Sequence, residues 1–164
     1  MARHKGKKKQ KTDSPTIENR RARHDYEILE TVECGLRLYG SEVKSVRDAQ
    51  ISIAEGFVRA RAEPPELTLH GVNIGPYPPA AALNHHPTRM RTLLAHKREI
   101  AKLAKLQDQK GIALVPLKVY FANGFAKLLV GVGQGRGKGD KRRAIAEREV
   151  RRDIDRAMSR KRIG

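Results

Sequence analysis

From Tyr26 onward apolar and polar positions alternate. Tyr26, Ile28 and Val32 sit among Glu27, Glu30 and Glu33, and Leu36 and Leu38 alternate with Arg37 and Tyr39. A period of two predicts a long, half-buried strand, and Cys34-Gly35 in its middle predicts a bulge or sharp bend. Gly40-Ser41 then offers an N-cap for a short helix over Glu42–Arg47. Residues 51–62 read as a strand through Ile51, Ile53, Phe57 and Val58. Pro64-Pro65 makes a turn, and Leu67, Leu69, Val72 and Ile74 form the return strand. The proline-rich residues 75–87 form a loop. Met90, Leu93, Leu94, Lys97, Ile100, Ala101 and Ala104 recur at spacings of three and four, which predicts a helix opened by Pro87-Thr88 and ended by Lys110-Gly111.

Residues 112–120 are rich in β-formers, and residues 127–132 form the second arm of a hairpin around Asn123-Gly124, a pair that tolerates positive φ. Beyond it Gly131, Gly133, Gly135, Gly137 and Gly139 alternate with other residues and read as a hinge. The tail, residues 141–161, has helix-forming composition but only a thin apolar stripe of Ala146, Val150, Ile154 and Ala157, too narrow for burial in a core. It reads as unstructured when free and helical on a partner. With a short basic helix or turn near residues 18–23, the expected fold is mainly β with flanking α: a small antiparallel OB-like barrel, about three helices and disordered basic termini. The expected division is a basic arm over residues 1–15, a folded domain over 16–132, and a hinge and tail over 133–164.

Charge changes this picture most. The 164 residues carry 35 Lys and Arg against 18 Asp and Glu, a net +17. Residues 1–25 hold +6 and residues 131–164 hold +7, while the long middle holds only +4. Two cationic arms on a near-neutral body point to a polyanionic partner, RNA before membrane, since the tail lacks the Leu, Phe or Trp face that insertion needs. No apolar run is long enough to span a bilayer, and the charges of residues 1–9 precede no apolar stretch of a signal peptide, so a soluble, cytoplasmic protein is expected. One cysteine, Cys34, excludes an internal disulfide and fits a reducing compartment. With no Trp, four Tyr and three Phe, any stacking surface is small.

Enzymatic features are not found. The spacing around Gly137-Lys138 does not match a P-loop. His85-His86 have no third ligand at suitable spacing and read as solvated loop histidines, and Cys34 reads as a buried packing residue. No catalytic residue, metal or cofactor is expected. The competing readings are a general basic ribosomal or assembly protein and, third, an RNA-processing enzyme.

Separated blocks carry a resemblance. Residues 19–26 (NRRARHDY), 33–45 (ECGLRLYGSEVKS) and 87–94 (PTRMRTLL), then Lys127 before Gly131-Val132-Gly133, then Asp140-Lys141-Arg142 leading into Ala146-Glu147-Arg148-Glu149, resemble in order and spacing the SmpB family of tmRNA-binding proteins. The resemblance implies an OB-like barrel that binds the tRNA-like domain of tmRNA and assists its charging by alanyl-tRNA synthetase. It implies delivery to stalled ribosomes with elongation factor Tu, a 1:1 complex of a monomer, and a tail that becomes helical in the empty mRNA channel. The RNA surface it implies comprises Asn19, Arg20, Arg21, Arg23, His24, Tyr26, Glu33, Lys44, Leu94 and Lys127. The tail set is Asp140, Lys141, Arg142, Arg143, Glu147, Arg148, Val150, Arg151 and Arg152. Three positions depart from the family pattern: Gly139 replaces a frequent His, Val150 a frequent aromatic, and His86 the usual Asp before Pro-Thr-Arg.

Overall fold

The computed structural model describes residues 14–161. Residues 1–13, which make up most of the expected basic arm, and residues 162–164 lie outside the described residues. The chain runs β1 (Ile17–Glu18), α1 (Arg20–Asp25), β2 (Tyr26–Leu36), α2 (Gly40–Arg47), β3 (Ile51–Ser52), β4 (Phe57–Arg61), β5 (Glu66–His70), β6 (Asn73–Ile74), a 3-10 segment (Pro78–Leu83), β7 (Arg91–Leu94), α3 (Lys97–Gln107), β8 (Ile112–Ala122), β9 (Phe125–Gly135) and α4 (Lys138–Lys161).

Six strands close on themselves in the order β8-β4-β5-β7-β2-β9 and back to β8, every neighbour antiparallel. Closure removes the sheet's free edges, and the small antiparallel barrel is the OB-like architecture expected. The β8–β9 hairpin turns at Asn123 (φ 51°) and Gly124 (φ 79°), the positive angles an Asn-Gly turn permits. β1 adds to β8 outside the closed ring, and β3 pairs with β6 as a separate ribbon.

Inward-facing Leu67, Leu69, Leu114, Val119, Leu128 and Val130 fill the barrel, and α3 caps it with Ile100 and Leu103. A second, smaller cluster lies outside the barrel: Ala22 of α1 over Val115 and Leu117, flanked by Tyr26, Ile28 and Leu129. Two glycines make room for it. A Cβ at Gly131 would stand 2.7 Å from Leu117, and one at Gly133 would stand 2.8 Å from the Tyr26 Cβ. Asn19 fastens α1 to this face. Its side-chain oxygen accepts the Ala22 N–H at 3.0 Å, and its amide donates to the Ile53 and Pro116 carbonyls at 3.0 and 2.9 Å.

The structure corrects several expectations. The helix expected from Met90 begins only at Lys97. Arg91 and Leu93 point inward and Leu94 outward in strand β7, which closes the barrel between β5 and β2, so the three-and-four spacing there is coincidental. Pro87 consequently starts no helix; its carbonyl accepts from Ile74 N–H and Arg91. Glu99 accepts the His96 N–H at 3.0 Å and opens α3. The bulge in β2 falls between Ile28 and Glu30 rather than at Cys34-Gly35. It carries the strand from the outer cluster (Tyr26, Ile28) to the barrel interior (Val32, Cys34), and since both surroundings are apolar the sequence alternation hides it. Tyr39, not Gly40-Ser41, caps α2. The strand expected over 51–62 and its return are each broken into two short strands. The tail forms α4, a helix of 24 residues on which Ile145, Val150, Ile154 and Met158 stay exposed.

Candidate nucleic-acid interface

On the outer face of β2 Glu33 and, just past the strand end, Arg37 and Tyr39 point outward while Cys34 and Leu36 point in. Neighbouring strands place Lys127, Tyr120 and Leu94 beside them, since Gly35 pairs with both Lys127 and Leu94. Gly35 lets Leu94 approach closely: a Cβ would sit 3.2 Å from the Leu94 Cβ. Lys127 Nζ lies 3.5 Å from Glu33, and the Tyr120 hydroxyl donates to the same carboxylate. The Tyr120 hydrogen bond holds the Glu33 carboxyl below the ordinary carboxylate range, helped by the Lys127 charge and opposed by slight burial. Burial and the bond to Glu33 push the Tyr120 phenol up to about 12. Glu33 thus stays an acceptor near neutral pH. Leu94, 58% exposed, is an open apolar contact and not core. Glu33, Leu94 and Lys127 line, with Gly35, Ala95, His96 and Glu99, a groove of about 400 Å³. A cation for phosphate, an acceptor for a base or 2′-OH, and an apolar surface stand within one patch, the combination by which folded RNA is recognised.

The other expected residues divide between separate places. Arg20, Arg21 and Arg23 are exposed on α1, with His24 half-buried. Arg21 reaches Asp25 at 3.6 Å and pairs with Glu55, and His24 Nδ1 meets Asp25 at 3.0 Å. Tyr26 packs over Gly133, and Asn19 is 3% exposed with its amide engaged inside the protein, so it positions α1 from beneath. Tyr26 and Glu33 lie seven residues apart on β2, about 23 Å at ~3.3 Å per residue. The α1 arginines and the Glu33 patch are therefore two separate contact areas. Lys44 is exposed on α2.

Asp140, Arg142, Arg143, Glu147, Arg148, Val150, Arg151 and Arg152 are exposed on α4; Lys141 lies on the same helix, its side chain outside the described residues. Arg148 donates to the Arg23 carbonyl at 3.1 Å, which brings α4 against α1. Expectation fails at His85, which is buried at 7% exposure. Its Nδ1 is 2.9 Å from the Ser41 hydroxyl and its Nε2 is 3.1 Å from the Ile74 carbonyl; only His86 is a solvated loop histidine. Cys34 is buried as expected, and burial pushes its thiol up to about 12. The sequence reading missed Tyr120 and the Glu42–Arg89–Arg91 cluster beneath Tyr39. The alternation of Lys118 and Tyr120 in β8 is the signal that marks Tyr120 as outward-facing; the cluster leaves none. Among the described residues no group of three or more His, Cys, Asp or Glu is placed to hold a metal ion, and no helix is long and apolar enough to cross a membrane.

A small basic barrel presenting cation, acceptor and apolar side chain together on an open strand face defines a nucleic-acid-binding protein of OB-like architecture. The chain belongs to the SmpB family: the family model described as SmpB protein matches residues 16–160. It is 49% identical over 149 residues to an SsrA-binding protein of Lactobacillus helveticus, covering 91% of this chain and 97% of that one. It is 50% identical over 141 residues to an SsrA-binding protein of Pelotomaculum thermopropionicum, covering 86% and 91%. Among solved structures it resembles, at a TM-score of 0.64 and 44% identity over 80% of this chain and 95% of the other, a chain from "tmRNA-SmpB: a journey to the center of the bacterial ribosome".

Proposed function

We propose that this chain binds tmRNA through its tRNA-like domain and serves trans-translation on stalled ribosomes. The observation that carries the reading is the Glu33–Leu94–Lys127 patch, open on the barrel wall and exposed in a family whose relatives bear the name SsrA-binding protein. Lys127 meets a phosphate, Glu33 accepts from a base edge or 2′-OH, and Leu94 packs against an unstacked base. The α1 arginines precede Tyr26, itself about 23 Å along β2 from Glu33, and hold a second stretch of backbone. Bound in this way as a 1:1 monomer in the cytoplasm, the protein stabilises the tRNA-like domain for alanyl-tRNA synthetase and travels with it and elongation factor Tu. The exposed arginines of α4, a helix about 36 Å long at ~1.5 Å per residue, meet rRNA phosphates in an mRNA channel left empty of codon.

The test is a titration against the tRNA-like domain of tmRNA and an elongator tRNA across salt. The expected result is a preference for the tmRNA domain that survives near-physiological salt. Charge alone gives equal affinities that fall together, with slopes of about −0.7 to −0.9 per phosphate contacted. That outcome makes the chain a general basic ribosome-associated protein.

A further inference from the structure

Beyond the Glu33 patch the outward face of the chain continues past the end of β2 through Arg37 to Tyr39, which is 61% exposed although one face of its ring is covered. The cover is the Arg89 guanidinium, 3.9 Å from the ring centroid. Arg89 is itself immobilised: its Nε donates to Glu42 Oε1 at 2.9 Å, its Nη2 to Glu42 Oε2, and its Nη1 to the Met90 carbonyl at 3.1 Å. Glu42 is wholly buried, and it also accepts from the Tyr39 N–H at 2.8 Å and from Arg91 Nε at 2.8 Å. Buried Arg91 is anchored in turn on the Val72, Arg89 and Pro87 carbonyls. Backbone and ring of Tyr39 are thus both held by one carboxylate. A buried ion cluster is weak evidence for stability, and this one terminates in a large aromatic ring fixed with its other face in water.

We propose that Tyr39, backed by Arg89, is a stacking platform for an unpaired RNA base, extending the Glu33–Leu94–Lys127 patch along the barrel wall. Tyr39 lies six residues past Glu33, about 20 Å in extended chain, with the exposed Arg37 between them to meet the intervening phosphates. Every base has a π-face, so the platform binds without regard to sequence, and a ring already fixed loses little entropy when a base settles on it. The chain has no Trp, four Tyr and three Phe, so few rings are available for stacking, and this one is held at the surface beside the patch. The proposal names a subsite of the RNA surface already proposed and rests on that reading.

The experiment uses the full chain and two probes: the tRNA-like domain of tmRNA, and a short single-stranded oligoribonucleotide carrying 2-aminopurine, whose fluorescence is quenched by stacking. Tyr39→Ala is expected to weaken binding of both by roughly tenfold, the order of one base–aromatic stack, and to abolish the quenching. Tyr39→Phe is expected to bind and quench as the unaltered protein does. The ring is exposed, so melting temperatures are expected to match, and Tyr39→Trp supplies a larger ring at the same place. Unchanged quenching in Tyr39→Ala, or a loss in Tyr39→Phe equal to that in Tyr39→Ala, overturns the platform. If the unaltered protein shows no preference for the tmRNA domain, the function proposed above fails, and the oligoribonucleotide series alone then decides for or against the platform.

Discussion

Glu42 shows how one side chain can serve both fold and surface. Four donors converge on its two oxygens, from Arg89 twice, Arg91 and the Tyr39 backbone. Burial by itself raises its pKa, but the Arg89 hydrogen bonds, the Tyr39 N–H and the Arg91 charge outweigh it and leave the carboxyl below its ordinary value. Glu42→Gln leaves Arg91 buried without a counter-charge, and a loss of about 3–5 kcal/mol in urea unfolding is expected. A group depressed in the folded state contributes stability that is present above its unfolded pKa and lost as pH falls through the folded value. The acid limb of the stability–pH curve should therefore be shallower in Glu42→Gln; identical limbs would show that Glu42 is already protonated or unpaired. At Glu33 and Lys127 the expectation is reversed. The double substitution to Ala should weaken tmRNA binding while shifting the melting temperature little, because Glu33 is exposed, Lys127 only half-buried, and a pair open to water contributes little to stability. A large drop in melting temperature would make the pair structural.

At the scale of elements, β9 carries an unexpected load. Gly131, Gly133 and Gly135, read from sequence as hinge, lie in the strand, and the first two admit α1 and its small apolar cluster onto the barrel wall. Gly133→Ala places a methyl against the Tyr26 Cβ, which cannot swing aside, so β2 and β9 must separate. A cost of about 1–3 kcal/mol and a lower melting temperature are expected. Gly135→Ala, with nothing within 4 Å of the new methyl, is the control and should melt as the unaltered chain does. Equal effects would mean that strand propensity, not the close approach, governs both.

For the molecule as a whole, barrel and tail make separate contributions. Among the described residues α4 meets α1 where Arg148 donates to the Arg23 carbonyl, shares a cleft with Glu27 and Gln134 through Asp140, Arg143 and Glu147, and leaves its large apolar side chains exposed. Truncation after Arg136, which preserves β9, is expected to keep affinity for the tRNA-like domain near that of the full chain while abolishing rescue of stalled ribosomes. A tenfold or greater loss of that affinity would place the tail inside the primary RNA site. The salt dependence should separate the same way. The slope for the isolated RNA domain should change little, and the slope for ribosomes should fall by roughly 0.7–0.9 for each phosphate the tail no longer neutralises.

Local chemistry was readable in order along the chain. Asn123-Gly124 specified its hairpin because positive φ is a property of those residues themselves, and the uneven charge identified a polyanionic partner because charge needs no fold to be counted. The family blocks carry the residues of the proposed interface for the same reason: each is a short run whose identity survives without coordinates. What the sequence left open depends on neighbours distant in the chain. Residues 91–94 became strand because β5 and β2 needed a partner between them to close the barrel, a tertiary demand that overrides helical spacing. The β2 bulge was invisible because both surfaces it joins are apolar. His85 was buried by Ser41 and Ile74, and Tyr39 was fixed by Arg89, each through contacts spanning more than ten residues. Burial and hydrogen-bond satisfaction are properties of the closed barrel, so only the tertiary structure decided which side chains remain free to meet RNA.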